Sequence, residues 1–195
     1  MKKTTRILAL TGVFAFGLAQ PAHAQEPVSY AYTLEGSSHV LRTEASTPLK
    51  GDVAVKLDPA TGGLTADLTL ARSSLRFALM GGIPVRADIV FAPTGPVTGT
   101  FKDGVLTTES RMLVKLPVVR ILGLPIAGGD KCETVYPTYV KLTSDGPFDL
   151  ATGGTLKGTY TLPKFEGCGR YEDLVSGMAS GPGNTVDLKL TSSQS

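Results

Sequence analysis

Few residues in this chain are equipped for chemistry. Among its 195 residues are two cysteines, Cys132 and Cys168, no tryptophan, and one histidine, His39, past the first 24 positions. Two thiols in an exported chain read most simply as one disulfide, for which Cys132–Cys168 is the single intramolecular connectivity. Closing a loop of that size removes unfolded-state entropy equivalent to roughly 3–4 kcal/mol. A redox or metal-binding pair is the competing reading, but neither a Cys-x-x-Cys spacing nor a nearby histidine supports it. A serine nucleophile would depend on His39, which sits beside Ser37-Ser38 in an expected turn, and the chain has no Gly-x-Ser-x-Gly elbow. Carboxylates are the remaining option. Asp130 and Glu133 flank Cys132 and Glu166 precedes Cys168, so a disulfide would gather them, and two such acids can serve as acid and base in glycoside cleavage. Lys131, Lys164 and Arg170 share the neighbourhood, so surface ion pairs describe the same residues equally well. EF-hand, P-loop and dinucleotide-binding spacings are missing. No catalytic residue, metal site or cofactor is assigned.

The start of the chain sets the compartment. Lys2, Lys3 and Arg6 precede an apolar run from Ile7 to Leu18, and Ala22-His23-Ala24 is a small-x-small cleavage site. This is the pattern of a signal peptide, 1–24, leaving 25–195 as a secreted β-rich domain. Without the leader the 19 basic side chains fall to 16, against 17 acidic ones. The basic character of the precursor belongs to its targeting segment, and nothing asks for a nucleic-acid partner. No further apolar span follows, so the expectation is a protein without a transmembrane anchor after cleavage, secreted or extracellular, or held to the cell envelope by non-covalent contacts.

The positioning elements read as strands punctuated by glycine and proline. Ser29 to Leu34 reads as a first strand and Val40 to Ala45 as a second. The clearest hairpin alternates Val53, Val55 and Leu57 with polar neighbours, turns at Asp58-Pro59-Ala60-Thr61-Gly62-Gly63, and returns through Leu64, Ala66, Leu68 and Leu70. A period of two with one apolar face marks a half-buried antiparallel sheet. Further strands are expected at 75–79, 85–91, 97–101, 105–116, 136–143, 155–162 and 185–191. Tyr171 to Ala179 instead places Leu174, Val175 and Met178 at helical spacing, with Glu172 and Asp173 early, and predicts a short helix. Ser180-Gly181-Pro182-Gly183-Asn184 then reads as its terminating turn. The fold class is all-β: a single antiparallel β-sandwich or partly closed β-barrel with one short helix near the C-terminus.

Two proline bends are unusually apolar. Phe77, Leu79, Met80, Ile83 and Val85 form one cluster, and the run from Leu113 to Ile126, with Val118, Ile121, Leu122 and Leu124, forms the other. Pro117 and Pro125 exclude a long helix there. Three outcomes are open for the second run: a strand buried on both faces, the lining of a cavity for an apolar ligand, or an exposed lip flanked by Arg111, Lys115 and Arg120 and suited to an anionic lipid surface. The candidate ligand-binding residues are Phe77, Leu79, Met80, Ile83, Val118, Ile121, Leu122 and Leu124. The bends also echo one another: Leu75-Arg76-Phe77 with Gly82-Ile83-Pro84-Val85 resembles Val119-Arg120-Ile121 with Gly123-Leu124-Pro125-Ile126.

The run Tyr160-Thr161-Leu162-Pro163-Lys164-Phe165-Glu166-Gly167-Cys168-Gly169 and the segment Gly181-Pro182-Gly183-Asn184, with Leu122-Gly123-Leu124-Pro125 and Cys132, give the second half a distinct signature. It resembles a family of small secreted actinobacterial proteins of unknown function, over roughly Leu64 to Leu190. The resemblance implies secretion, a β-rich domain and paired cysteines, and supplies no activity. The leading expectation is therefore a non-catalytic secreted or envelope protein that binds an apolar or lipid-like ligand or the envelope surface. A structural or interaction module contacting protein or polysaccharide is the alternative, and a hydrolase using Asp130, Glu133 and Glu166 a third. Mass spectrometry of the secreted protein should return a chain beginning at Gln25 and two hydrogens lighter than its reduced form.

Overall fold

The computed structural model describes residues 25–79 and 81–193; the expected signal segment 1–24 and Met80 lie outside these. The alternation read at 52–70 extends over most of the chain. In order come β1 (Val28–Val40), β2 (Ala45–Leu57), β3 (Gly63–Leu70), β4 (Ser73–Leu79), β5 (Ile83–Pro93), β6 (Val97–Lys102), β7 (Val105–Ile121), β8 (Leu124–Ala127), β9 (Glu133–Thr134), β10 (Thr138–Ser144), β11 (Gly153–Leu162) and β12 (Phe165–Glu166). The helix α1 (Glu172–Ala179) and β13 (Gly181–Ser192) complete the set. Eight strands, β1-β2-β3-β6-β7-β10-β11-β13, pair antiparallel around a ring that closes from β13 back to β1. Neighbours in the ring follow chain order, so the molecule is an up-and-down barrel rather than a sandwich. β4 and β5 prolong the lines of β3 and β6 beyond the ring and pair with each other, and β5 pairs with β7.

Along each stave the apolar residues point inward and the charged ones outward. Tyr32, Leu34, Val53, Leu57, Leu64, Leu106, Leu142, Leu156, Leu188 and Leu190 are buried, while Glu35, Lys50, Asp52, Asp67, Lys141, Lys157 and Asp187 on the same strands are exposed. An apolar interior under a charged exterior is the reverse of what a membrane-crossing barrel needs. The interior holds two stacked clusters. The lower one centres on Tyr32, Leu57, Leu64 and Phe148, and the upper one on Val40, Leu75, Val85, Val119, Val175 and the cysteines.

Both ends are covered. Below, the 145–152 loop inserts Phe148, which meets the rings of Tyr32 and Phe101 edge-on at 5.9 and 6.5 Å. The Tyr32 hydroxyl donates to the Leu150 carbonyl at 2.6 Å and fixes that loop. Above, α1 lays Val175 on the upper cluster, and Ser176 Oγ accepts the Phe165 N–H at 2.9 Å. The Cys132–Cys168 disulfide, with Cα atoms 4.4 Å apart and a sequence separation of 36, ties the approach to α1 back to the turn before β9. For that separation the loop-entropy argument gives about 4 kcal/mol.

Closing so small a ring requires sharp coiling, and four inward-facing glycines supply it. A Cβ on Gly36, Gly51, Gly99 or Gly158 would run into the backbone carbonyl of Asp187, Thr69, Thr107 or Lys141 on the neighbouring strand. The paired Asp-x-Ala-Thr-Gly-Gly turns at 58–63 and 149–154 are the same device: the aspartate side chain accepts the N–H two residues on, at 2.9 and 2.7 Å.

The boundaries differ from the sequence reading in three places. Val40–Ala45 is no strand: β1 runs through to Val40 and a 3₁₀ turn, Leu41–Thr43, makes the corner. β7 continues past Leu116 because Pro117 sits in a bulge, where Leu116 and Pro117 oppose the single residue Ile89 and the ladder does not need the missing N–H. Ser180–Asn184 is mostly strand, with the buried Asn184 amide donating to Gly181 and Tyr160 carbonyls and its oxygen accepting the Leu41 N–H at 3.0 Å. Replacing Gly51→Ala should destabilise the barrel by about 2 kcal/mol through backbone displacement. Gly177→Ala, where a Cβ meets open space in α1, should instead stabilise it by up to about 1 kcal/mol. Urea unfolding of the two variants measures both.

Candidate functional site

Eight strands enclose a bore only about one side-chain layer wide, and here that layer leaves gaps. Three apolar cavities follow one another up the axis, of about 70, 70 and 60 Å³. The lower and middle ones share Leu34, Leu68, Ser110, Leu142 and Leu188 in their walls; the middle and upper ones share Ser38, Phe91, Val114 and Tyr160. Inward residues such as Val55, Leu68 and Phe91 consequently keep part of their surface accessible. No charged side chain lines any of the three.

Four polar groups of the interior meet at its waist. Ser38 Oγ and the Tyr160 hydroxyl are 2.8 Å apart, and Ser110 lies on the opposite wall from β7. Thr138, only 2 % exposed, faces the middle cavity with a hydroxyl that has no hydrogen-bond partner among the described residues. An unpaired buried hydroxyl costs on the order of 1–3 kcal/mol, so this group is poised for a partner. Sequence reasoning gives none of the four a binding role: it reads Ser38 into a turn beside His39 and Tyr160 only into the signature run. Their signal was parity: each is polar at a position where its strand otherwise points an apolar side chain inward.

Outside the waist the wall is splayed. β10 and β11 pair from Val140↔Tyr160 through Ser144↔Leu156, and their ladder does not extend to Thr138 and Leu162. Pro137 and Pro163 flank the gap, each lacking the N–H that would extend the ladder across it, and Pro182 of β13 stands beside them in the cleft wall. The resulting outer cleft, about 840 Å³, carries Arg111, Tyr136 and Tyr139, and Tyr160 belongs both to its lining and to the two inner cavities. The Arg111 guanidinium lies 6.0 Å from the Tyr139 ring centre. The two most specific pieces of the sequence signature, Tyr160–Gly169 and Gly181–Asn184, meet here on adjacent strands.

The residues proposed from the apolar bends divide. Phe77 lines the upper cavity, and Leu79 and Ile121 pack against the upper cluster. Val118 faces a second outer cleft, of about 540 Å³, with Arg72, Ser74, Arg86 and Asp88. Ile83, Leu122 and Leu124 are exposed by 38, 66 and 67 % at the tips of two adjacent hairpins, and Met80 lies outside the described residues. The long apolar run divides: Val114, Leu116 and Val119 are buried on the inward face and edge the upper cavity, Leu113 and Val118 on the other face are only partly buried, so the expected burial on both faces is not met, and Leu122 and Leu124 form a lip. The lip's expected basic flank differs. Arg111 is at the other cleft and Lys115 pairs with Glu133 at 2.6 Å; Arg120 remains, joined by Arg86, its register partner, and by Arg76, the partner of Arg86 in turn.

Of the three acids, Glu133 and Glu166 are direct partners across β9 and β12, with Lys115 opposite Glu133 on β7. The Lys115–Glu133 contact is an ion pair off the line of a hydrogen bond. Asp130 is exposed in the preceding turn, and none of the cavities and clefts above is lined by any of the three. His39 is not in a turn: it is the last residue but one of β1, with Nδ1 3.3 Å from Ser46 Oγ and Nε2 3.7 Å from Glu44. Among the described residues no three His, Cys, Asp or Glu side chains cluster as metal ligands would, and no helix is long and apolar enough to cross a membrane. The fold and site define a closed eight-stranded up-and-down barrel with a segmented apolar bore. Comparison of the chain with protein-family models, with characterised proteins and with solved structures gave no match.

Two interior phenols carry a pH signature. Burial, aided by Tyr30 and Asp149, pushes the Tyr32 hydroxyl from 10.0 up to about 12. Burial also raises Tyr160, against the pull of its Ser38 hydrogen bond. The fold favours the neutral form of both, so their contribution is complete below the unfolded-state value and is lost as pH climbs through the folded one. Stability measured by urea unfolding should hold up to about pH 10 and fall steeply above it, and Tyr32→Phe should flatten that fall.

Proposed function

We propose that this is a non-catalytic secreted or envelope-associated protein that holds a slender lipid-like chain along the axis of its barrel. The observation that carries this reading is the in-line series of three uncharged cavities with an unpartnered Thr138 hydroxyl at its middle. Each cavity is well below the roughly 300–1,000 Å³ of a site for a drug-sized ring system. Joined by small side-chain shifts they suit a chain one methylene wide, and each methylene taken from water contributes about 0.8 kcal/mol. The waist would pair with one neutral hydrogen-bonding group. A carboxylate there would be buried unpaired at a cost of several kcal/mol, so an alcohol fits and an acid does not. Access would come through the splayed β10–β11 wall, with Tyr160 as the partition between cleft and bore. Export is supported by the disulfide, by the signal-like leader and by the resemblance to secreted proteins.

A second reading rests on the outer cleft itself, where Tyr136 and Tyr139 are 59 and 45 % exposed beside three prolines. Such a surface suits an interaction module for a polypeptide or polysaccharide. The experiment is a thermal unfolding series of the mature protein with decanol, decanoate and a soluble oligosaccharide. The carrier reading expects decanol to raise the Tm in a saturable way, decanoate to do so far less, and Leu68→Phe, which fills the junction of two cavities, to abolish the effect. Val55→Phe is the second filling variant should the first fail to fold. No saturable shift with either chain overturns the carrier reading, and a shift with the oligosaccharide alone favours the module.

A further inference from the structure

The pole carrying the two adjacent hairpin tips has a layered chemistry that the bore does not explain. β4 and β5 turn at Gly81-Gly82, and β7 and β8 turn at Leu122-Gly123; the tips are neighbours because the Leu122 N–H donates to the Pro84 carbonyl at 3.1 Å. Both end in the same triplet, glycine, a branched aliphatic residue and proline: Gly82-Ile83-Pro84 and Gly123-Leu124-Pro125. Ile83, Leu122 and Leu124 are the large apolar side chains exposed there.

Leu122 is the telling one. Together with Gly123 it forms a two-residue turn between the paired residues Ile121 and Leu124, with φ of 51° and 81°. A turn with positive φ at both positions favours Asn-Gly, because a Cβ crowds the backbone in the left-handed region. The other non-glycine residues at positive φ among those described, Glu44 and Asp103, are polar. Here the disfavoured position holds a leucine that is two-thirds exposed, so neither local geometry nor core packing accounts for it. Backbone strain of this kind points to a role outside folding.

Beneath the tip lies a row of like charge. Arg76 pairs in register with Arg86, and Arg86 with Arg120, so three arginines cross the outer face of β4, β5 and β7 side by side. Two residues nearer the tip the same face carries Ala78 and Pro84, with Leu122 beyond. At the rise of a strand, that places the backbone of the apolar edge roughly 7 Å above the backbone of the arginine row. Asp88 steadies the row from below, meeting Arg86 Nε at 3.0 Å and Arg120 Nη1 at 2.8 Å, and neutralises one of its three charges. Arg76 has no ion pair among the described residues.

We infer that this pole docks the protein on an anionic lipid bilayer, with Leu122, Leu124 and Ile83 in the interface and the arginine row at the phosphates. The spacing matches the depth, about 5–10 Å, to which interfacial apolar groups enter a bilayer. A second copy of the chain is the poorer occupant, since a symmetric pairing of tips would bring one arginine row toward another. The inference is independent of the carrier reading: it needs no ligand in the bore, and failure of decanol binding leaves it standing.

The test is co-sedimentation of the full mature chain with phosphatidylcholine vesicles and with vesicles containing phosphatidylglycerol, at low and high salt. Binding should require the anionic lipid and weaken with salt. Leu122→Asn puts the favoured residue in the turn, so it should keep or raise the Tm while lowering vesicle binding several-fold. Arg76→Ser should lower binding about fivefold, the usual weight of one basic residue near such a surface, and reduce its salt dependence. The inference is overturned by absent or equal sedimentation with both vesicle types, by unchanged binding of Leu122→Asn, or by a concentration-dependent dimer in analytical ultracentrifugation that Leu122→Asn abolishes.

Discussion

Strand β1 hydrogen-bonds to β2 along one edge and to β13 along the other, in unbroken register from Tyr32↔Ser192 to His39↔Thr185. That second edge joins the two ends of the described chain and turns a meander into a ring. An open sheet would leave the N–H and C=O rows of β1 and β13 unpaired and available to other chains. Closure removes them, and it fixes the bore: eight staves leave a space whose width is set by side chains alone. The inward glycines at 36, 51, 99 and 158 are the corollary, since a strand bent this tightly has no space for a Cβ at those points.

The bore is where this barrel departs from ordinary core packing. Close-packed interiors leave few voids larger than a water molecule, yet this one holds three in line, with polar side chains at the waist. The two ends compensate. Phe148 and the Tyr32–Leu150 hydrogen bond secure the lower loop, while α1 and the disulfide secure the upper cap. With both poles fastened, the weak place in the wall is the side, where the β10–β11 ladder stops short and three prolines line the cleft outside it.

Much of this was legible beforehand. The alternating hairpin at 52–70, the disulfide and the helix near Tyr171 follow from local rules, because period, cysteine number and turn chemistry act over short spans. Ring against sandwich was not legible, because the inward residues of both alternate in the same way and only the pairing of β1 with β13, some 150 residues apart, distinguishes them. Val40–Ala45 misled because a 3₁₀ corner can carry the same residue types as a strand. The apolar bends were found, but their division into lining and lip was not, since the direction of a side chain past Pro117 depends on a bulge set by Ile89 across the ladder. The waist was missed because serine, threonine and tyrosine in strands are common on the solvent face.

The three voids also make the molecule's volume a sensitive quantity. Unfolding under hydrostatic pressure is driven by the elimination of internal empty space, so a barrel with an interrupted core is compressible along its axis in a way a filled one is not. A guest lying in the bore would remove that softness. Occupancy would therefore register as mechanical stiffness of the whole ring, far from any atom the guest touches.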